Sequence, residues 1–105
     1  MDDNEKYGLQ KTDINNVVAI LQANKKIKKI VLFGSRAKGN FNKGSDVDIA
    51  LIGDNLVLND IFDLSLKIDN LYLPYKFDLI IFDRIKEKAL VEHINRVGKI
   101  LFQRF

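Results

Sequence analysis

The run Asp46-Val47-Asp48-Ile49-Ala50-Leu51-Ile52 constrains this chain more than any other stretch, because a strand that is apolar on both faces has to be covered on both faces. Alternate residues of an extended backbone leave opposite sides, so Val47, Ile49 and Leu51 fill one face. Ala50 and Ile52 follow Asp46 and Asp48 along the other. An ordinary half-exposed strand would continue its polar face with polar residues, and this one does not. The two carboxylates therefore stand together at the entrance of a buried strand, where charge is out of place unless something compensates it.

The flanking segments supply the covering layers. Residues 1–12 are polar and read as loosely held, and Thr12 or Asp13 is placed to cap a helix carrying Ile14, Val17, Val18 and Leu21. Ile30-Val31-Leu32-Phe33 is a β-branched apolar run that stops at Gly34, and Ser35 to Gly39 supplies a turn opening a short helix. Asn40 to Ser45 reads as a polar loop. After the acidic strand, closed by Gly53-Asp54-Asn55, the stretch from Leu56 to Leu73 carries Ile61, Leu64, Leu66, Ile68 and Leu71 on a helical face, with Pro74 as its stop. Phe77 to Phe82 is a third strand. Asp83 is placed to cap a helix whose buried side is Ile85, Ala89, Leu90, Ile94 and Val97, ending at Gly98, and Ile100-Leu101-Phe102 adds an edge strand. Strands alternating with helices give an α+β domain with α/β-like character over residues 1–105: a mixed sheet of three to four strands flanked by helices.

Composition narrows the function class. With 105 residues, 47% of them hydrophobic, a single core is expected. A net charge of +3, from 17 basic and 14 acidic residues, falls short of the dense basic surface of a nucleic-acid binder, so direct nucleic-acid binding is not expected. The absence of cysteine excludes disulfides and thiolate metal sites. Met1-Asp2-Asp3-Asn4-Glu5-Lys6 lacks the pattern of a secretory signal, and no apolar run reaches the roughly 18 residues of a membrane span. The expectation is a soluble cytoplasmic protein without membrane contact.

A third acid completes the chemistry. Asp78 shares its strand face with Ile80 and Phe82, as Asp48 does with Ala50 and Ile52. If these two strands are neighbours, three carboxylates gather where desolvation and mutual repulsion favour protonation unless cations intervene. Hard oxygen ligands without His or Cys suit Mg²⁺, with Mn²⁺ as the alternative, and two such ions about 4 Å apart can serve a phosphoryl displacement. Gly34 and Ser35 follow a strand directly, where backbone can approach a phosphate, and Arg36 and Lys38 add positive charge. Lys76, on the face of Asp78, either offsets charge or is an exposed strand-end lysine. His93 has no second nitrogen ligand nearby in sequence and is set aside as a surface or packing histidine. The lysines around Ile27 read as a solvated strand entrance. Tyr72 and Tyr75 read as packing around Pro74 before any role as modification targets. Leu101, Phe102 and Phe105 either complete a core or edge or form part of a partner surface.

Gly34-Ser35, ten residues from Arg36 to Ser45, then Asp46-Val47-Asp48 is a combination that resembles the DNA polymerase β-like nucleotidyltransferase superfamily. More closely, Phe33-Gly34-Ser35-Arg36-Ala37-Lys38-Gly39 and Ser45-Asp46-Val47-Asp48-Ile49 resemble the minimal nucleotidyltransferases (MNT) that are partnered with HEPN-domain proteins. The resemblance runs from Ile14 to the C-terminus. It implies a polymerase β-type fold in which Asp46, Asp48 and Asp78 are the catalytic and metal-binding acids. It also implies that two Mg²⁺ ions are bound and that Gly34, Ser35 and Arg36 hold the phosphates of ATP or another NTP. The implied role is that of an antitoxin that adenylylates a tyrosine of a HEPN toxin encoded by an adjacent gene. The alternative is an MNT-fold module that neutralises or scaffolds that partner by contact alone. Transfer to a small molecule such as an aminoglycoside is disfavoured, because the catalytic fold leaves no substrate-binding domain over.

Overall fold

The strand that has to be covered twice lies inside a four-stranded sheet. The computed structural model describes residues 4–104. Along the chain it forms β1 (Glu5–Lys6), β2 (Leu9–Gln10), α1 (Lys11–Gln22), β3 (Ile27–Phe33), α2 (Ser35–Lys38) and β4 (Val47–Gly53). There follow α3 (Leu58–Asp69), β5 (Phe77–Ile81), a single 3-10 turn (Phe82–Arg84), α4 (Lys88–Val97) and β6 (Lys99–Gln103). The main sheet runs β5-β4-β3-β6. β4 pairs parallel with β5, whereas β3 pairs antiparallel with both β4 and β6, so the sheet is mixed as expected.

The two faces of β4 meet different partners. Val47, Ile49 and Leu51 join Ile30 and Leu32 of β3 in a core closed by Val17 and Leu21 of α1 and Ile61, Leu64 and Ile68 of α3. Ala50 shares the opposite face with Val31 and Phe33, and Ile94 of α4 covers it. Two helices on one side and one on the other satisfy the double burial. A Cβ on Gly98, the C-cap of α4, would collide with the Ile94 carbonyl and with Val31, so glycine lets the end of α4 sit hard on β3.

Several local expectations give way to packing. Residues 1–3 of the segment expected to be loosely held lie outside the described residues, but 5–10 are tied down: β1 and β2 form a hairpin whose turn residues Tyr7 and Gly8 both have positive φ, as a two-residue turn favours. Leu9 is buried and the Lys11 amide donates to the Asn4 carbonyl at 2.7 Å. α1 accordingly starts at Lys11 with no side-chain cap, ahead of Thr12 and Asp13. α3 stops at Asp69, well before Pro74, and its buried stripe is Ile61, Leu64 and Ile68. Leu66 lies two residues from both Leu64 and Ile68, hence on the far side of the helix, where it is 63% exposed beside Leu58 and Phe62. Asp60, in the first turn of α3, accepts from the Val57 amide at 2.9 Å and pairs with Lys26 at 2.9 Å. Asp83 falls in the 3-10 turn, and α4 begins only at Lys88 because Ile85 is extended and packs back onto the Ile94 cluster. Ala89 is exposed.

β6 is an edge strand beside β3, and its end is docked. Arg104 donates to the carbonyls of Gln22 at 2.8 Å and Ile27 at 3.2 Å, while Leu101 and Phe102 pack against the larger core. These two residues complete a core; Phe105 lies outside the described residues. Among those residues no helix is long and apolar enough to cross a membrane.

The orientation of α3 gives a simple test. Leu64→Ala is expected to destabilise the protein by about 2–5 kcal/mol, and Leu66→Ala to change stability by less than about 0.5 kcal/mol, as read by urea denaturation.

Candidate active site

Three carboxylates meet at one end of the sheet. The parallel register pairs Asp48 with Asp78 and Val47 with Phe77, so the two acids head neighbouring strands at one level. That juxtaposition is the condition on which the three-acid cluster depended. Asp46, expected as the first strand residue, lies one residue before β4. Asp46 and Asp78 are exposed and Asp48 is half-buried. Burial pushes the Asp48 carboxyl above its ordinary value, and the charges of Asp78 and then Asp46 push it further. The acids therefore share one electrostatic field. They do not form a closed cage: among the described residues no three His, Asp or Glu side chains surround a single point closely enough to hold a metal ion unaided.

The glycine-serine bend lies directly against this cluster. Gly34 has φ 77° and ψ −158°, a conformation that side chains strongly disfavour, and a Cβ there would run into the Asp48 carboxylate. Its carbonyl accepts from the Lys38 amide at 3.1 Å, closing the first turn of α2. The amides of Ser35, Arg36 and Ala37 are left without an intrahelical acceptor.

His93, set aside on sequence grounds, belongs here. Its Nε2 accepts a hydrogen bond from the Gly34 amide at 3.0 Å, and its ring meets Phe33 edge-on at 6.2 Å. A signal was available in the sequence: His93 sits three residues after Leu90 and four before Val97, on the stripe that α4 turns towards the sheet.

Arg36 requires the opposite correction. It was expected near the phosphates, yet it is only 2% exposed. Its guanidinium donates to the carbonyls of Ser45 at 2.9 and 3.1 Å, Tyr7 at 3.0 Å and Lys43 at 3.4 Å, and lies over the rings of Phe41 and Tyr75. Its donors are committed to backbone, so it clamps the loop between the bend and the acids to the N-terminal hairpin. Lys38 is exposed. The Lys76 side chain is exposed too, and its carbonyl accepts from the Val47 amide at 2.8 Å. Tyr75 packs edge-on against Phe77, as expected of a packing aromatic, but Tyr72 is 88% exposed at positive φ.

Two outcomes follow from this geometry. A carboxyl whose folded pKa is raised binds more protons in the native than in the unfolded state, so stability falls as pH rises from the ordinary 3.8 through the raised value. Asp48→Asn is expected to melt higher than the wild type at pH 7 without divalent ions, the gain vanishing below that window in a pH series of thermal melts. Arg36→Ala leaves buried carbonyls without donors and is expected to destabilise the fold by about 3 kcal/mol. Arg36→Lys is expected to recover little of this in denaturant titration, because an ammonium lacks the guanidinium fork.

Known proteins resemble this chain in sequence and in fold. The family model described as polymerase beta, nucleotidyltransferase matches residues 15–104. A candidate protein adenylyltransferase of Methanocaldococcus jannaschii is 55% identical over 29 residues, which is 28% of this chain and 29% of that protein. The matched segment thus spans under a third of that relative. A toxin–antitoxin structure with AMP-PNP superposes with a TM-score of 0.72 at 26% identity, covering 86% of this chain and 73% of the other. A tri-AMPylated HEPN toxin of Shewanella oneidensis in complex with its MNT antitoxin matches with a TM-score of 0.69 at 24% identity, covering 90% and 73%, a likeness of fold. With a mixed four-stranded sheet and a family match over most of its length, this chain belongs to the polymerase β nucleotidyltransferase family.

Proposed function

We propose that the chain transfers AMP from ATP to a tyrosine hydroxyl of a HEPN-domain partner and acts as its antitoxin. The observation that carries this reading is the placement of Asp48 and Asp78 side by side on parallel strands, with the Gly34 bend resting on Asp48. Two structural relatives support it: one was solved with AMP-PNP, and in the other the toxin is AMPylated in the presence of its antitoxin.

The acids fit divalent cations. The ligand set is all oxygen, and the Asp48 carboxyl is pushed up first by burial and then by neighbouring acids whose charge a cation would offset. An open cluster suits Mg²⁺, or Mn²⁺, because Mg²⁺ is commonly held by one or two carboxylates together with substrate phosphates and water. Two ions, when bound, would stabilise the attacking and leaving oxygens of the displacement. Asp46, Asp48 and Asp78 would be the metal ligands and the catalytic carboxylates. Ser35, through its backbone amide and hydroxyl, and the turn that Gly34 allows would hold the terminal phosphates. The tyrosine oxygen would bond to the α-phosphorus as the bond to the β-phosphate's bridging oxygen breaks. Pyrophosphate then leaves and the hydroxyl proton passes to Asp78. The protein's part is positioning and charge stabilisation.

A second reading, neutralisation by contact alone, draws on one feature. Leu58, Phe62 and Leu66, spaced four residues apart on the outer side of α3, are all more than half exposed, an apolar stripe of the kind that partners cover.

One experiment separates the two. The protein is incubated with the HEPN product of the adjacent gene and Mg²⁺-ATP, and both chains are weighed by mass spectrometry. The transfer reading expects a nucleotide-sized mass gain on the partner, reduced at least about a hundredfold in rate by Asp48→Ala. No gain with the wild type, together with inhibition of the partner that survives Asp48→Ala and is lost in Phe62→Asp, would establish contact alone.

A further inference from the structure

The backbone bend that would receive the nucleotide is not self-supporting. As a glycine, residue 34 has many backbone conformations open to it, so its surroundings have to fix the one it adopts. Its carbonyl is tied into α2 through the Lys38 amide. Its amide points the other way, towards α4, where it meets the Nε2 atom of His93 at 3.0 Å. We propose that His93 is a positioning residue for nucleotide binding, its Nε2 fixing the Gly34 amide and with it the bend that lies against Asp48. The proposal rests on the nucleotidyltransferase reading of that bend.

The imidazole is itself well held. Its ring stands edge-on to Phe33, the residue before Gly34, at an interplanar angle of 80°. The next residue, Ile94, is buried in the cluster beneath α4, and the close seat of Gly98 on Val31 sets the height of the helix over β3. An acceptor at Nε2 places the ring proton on Nδ1, leaving His93 neutral in this contact. A side chain anchored in this way restrains the amide through geometry and touches no reacting atom.

Three proteins test it: wild type, His93→Gln, whose amide oxygen can still accept, and His93→Phe, which keeps an aromatic ring but has no acceptor. In nucleotide-free protein, the Gly34 amide is expected to exchange hydrogen roughly 3- to 10-fold faster in His93→Phe than in wild type, as the loss of one hydrogen bond implies. The Kd for Mg²⁺-ATP by calorimetry, and KM for ATP where transfer is measured, are expected to rise by a similar factor, with kcat changed less. His93→Gln is expected to restore a large part of both effects. Equal Gly34 protection in wild type and His93→Phe would overturn the proposal, as would equal loss of Mg²⁺-ATP affinity in both variants. Failure of the wild type to modify any partner would count against the transfer reading alone, because exchange and calorimetry need no acceptor.

Discussion

Where β3 ends, the chain turns aside in contact with the Asp48 carboxylate, and that approach sets much of what surrounds it. No side chain fits at Gly34 without displacing the acid. The backbone conformation that avoids the collision is one that glycine visits far more readily than other residues. The bend and the acid are therefore specified together. Once β3 and β4 pair antiparallel, with Phe33 opposite Asp48, the residue after Phe33 has to leave the sheet at the level where β4 begins. The backbone bend and the acidic side chains meet by register.

Placing charge there works against the fold. β4 is buried on both faces beyond Asp48, and β5 adds Asp78 at the same level. A parallel neighbour is the arrangement that does this, because parallel pairing keeps both strand entrances at one end. The result is a half-buried carboxyl pushed towards protonation by burial and by two other acids. A stability-driven sequence would place a neutral residue there. An acid placed in an otherwise apolar strand in this way marks a candidate functional site.

Most of this was legible in the residues. The double-sided apolar pattern of β4 required covering on both faces, and the matching pattern around Asp78 marked a second acid-bearing strand, whose place beside β4 comes from the fold. What escaped was decided by tertiary contacts. Leu66 was grouped with an apolar face that Ile61, Leu64 and Ile68 already filled. Thr12, Asp13 and Asp83 were good caps in isolation, but the buried Leu9 and the extended Ile85 fixed where the helices begin. His93 was judged by whether it had metal-ligand company, when its place on the buried stripe of α4 was the informative property. Arg36 was judged by its charge, and no one-dimensional pattern reveals that a guanidinium will be enclosed by carbonyls.

The enclosure of Arg36 explains a feature of the motif that chemistry alone leaves open, the ten-residue gap between the glycine-serine bend and the paired acids. That segment has to leave the bend, cross the end of the sheet and return so that Asp46 and Asp48 face Gly34. A polar loop of this length has many other conformations available. Arg36 stands at its start and binds the Ser45 carbonyl at its end, drawing the two together across the loop. The same guanidinium reaches Tyr7, which brings the N-terminal hairpin into the clamp, and Asn42 closes the loop's inner turn through the Ser45 hydroxyl and the Gly44 amide. Burying a charge is unfavourable unless its hydrogen bonds are satisfied, and here each guanidinium nitrogen finds a carbonyl. The clamp fixes the path of the loop, while the distance from the bend to Asp48 follows from the register of β3 against β4.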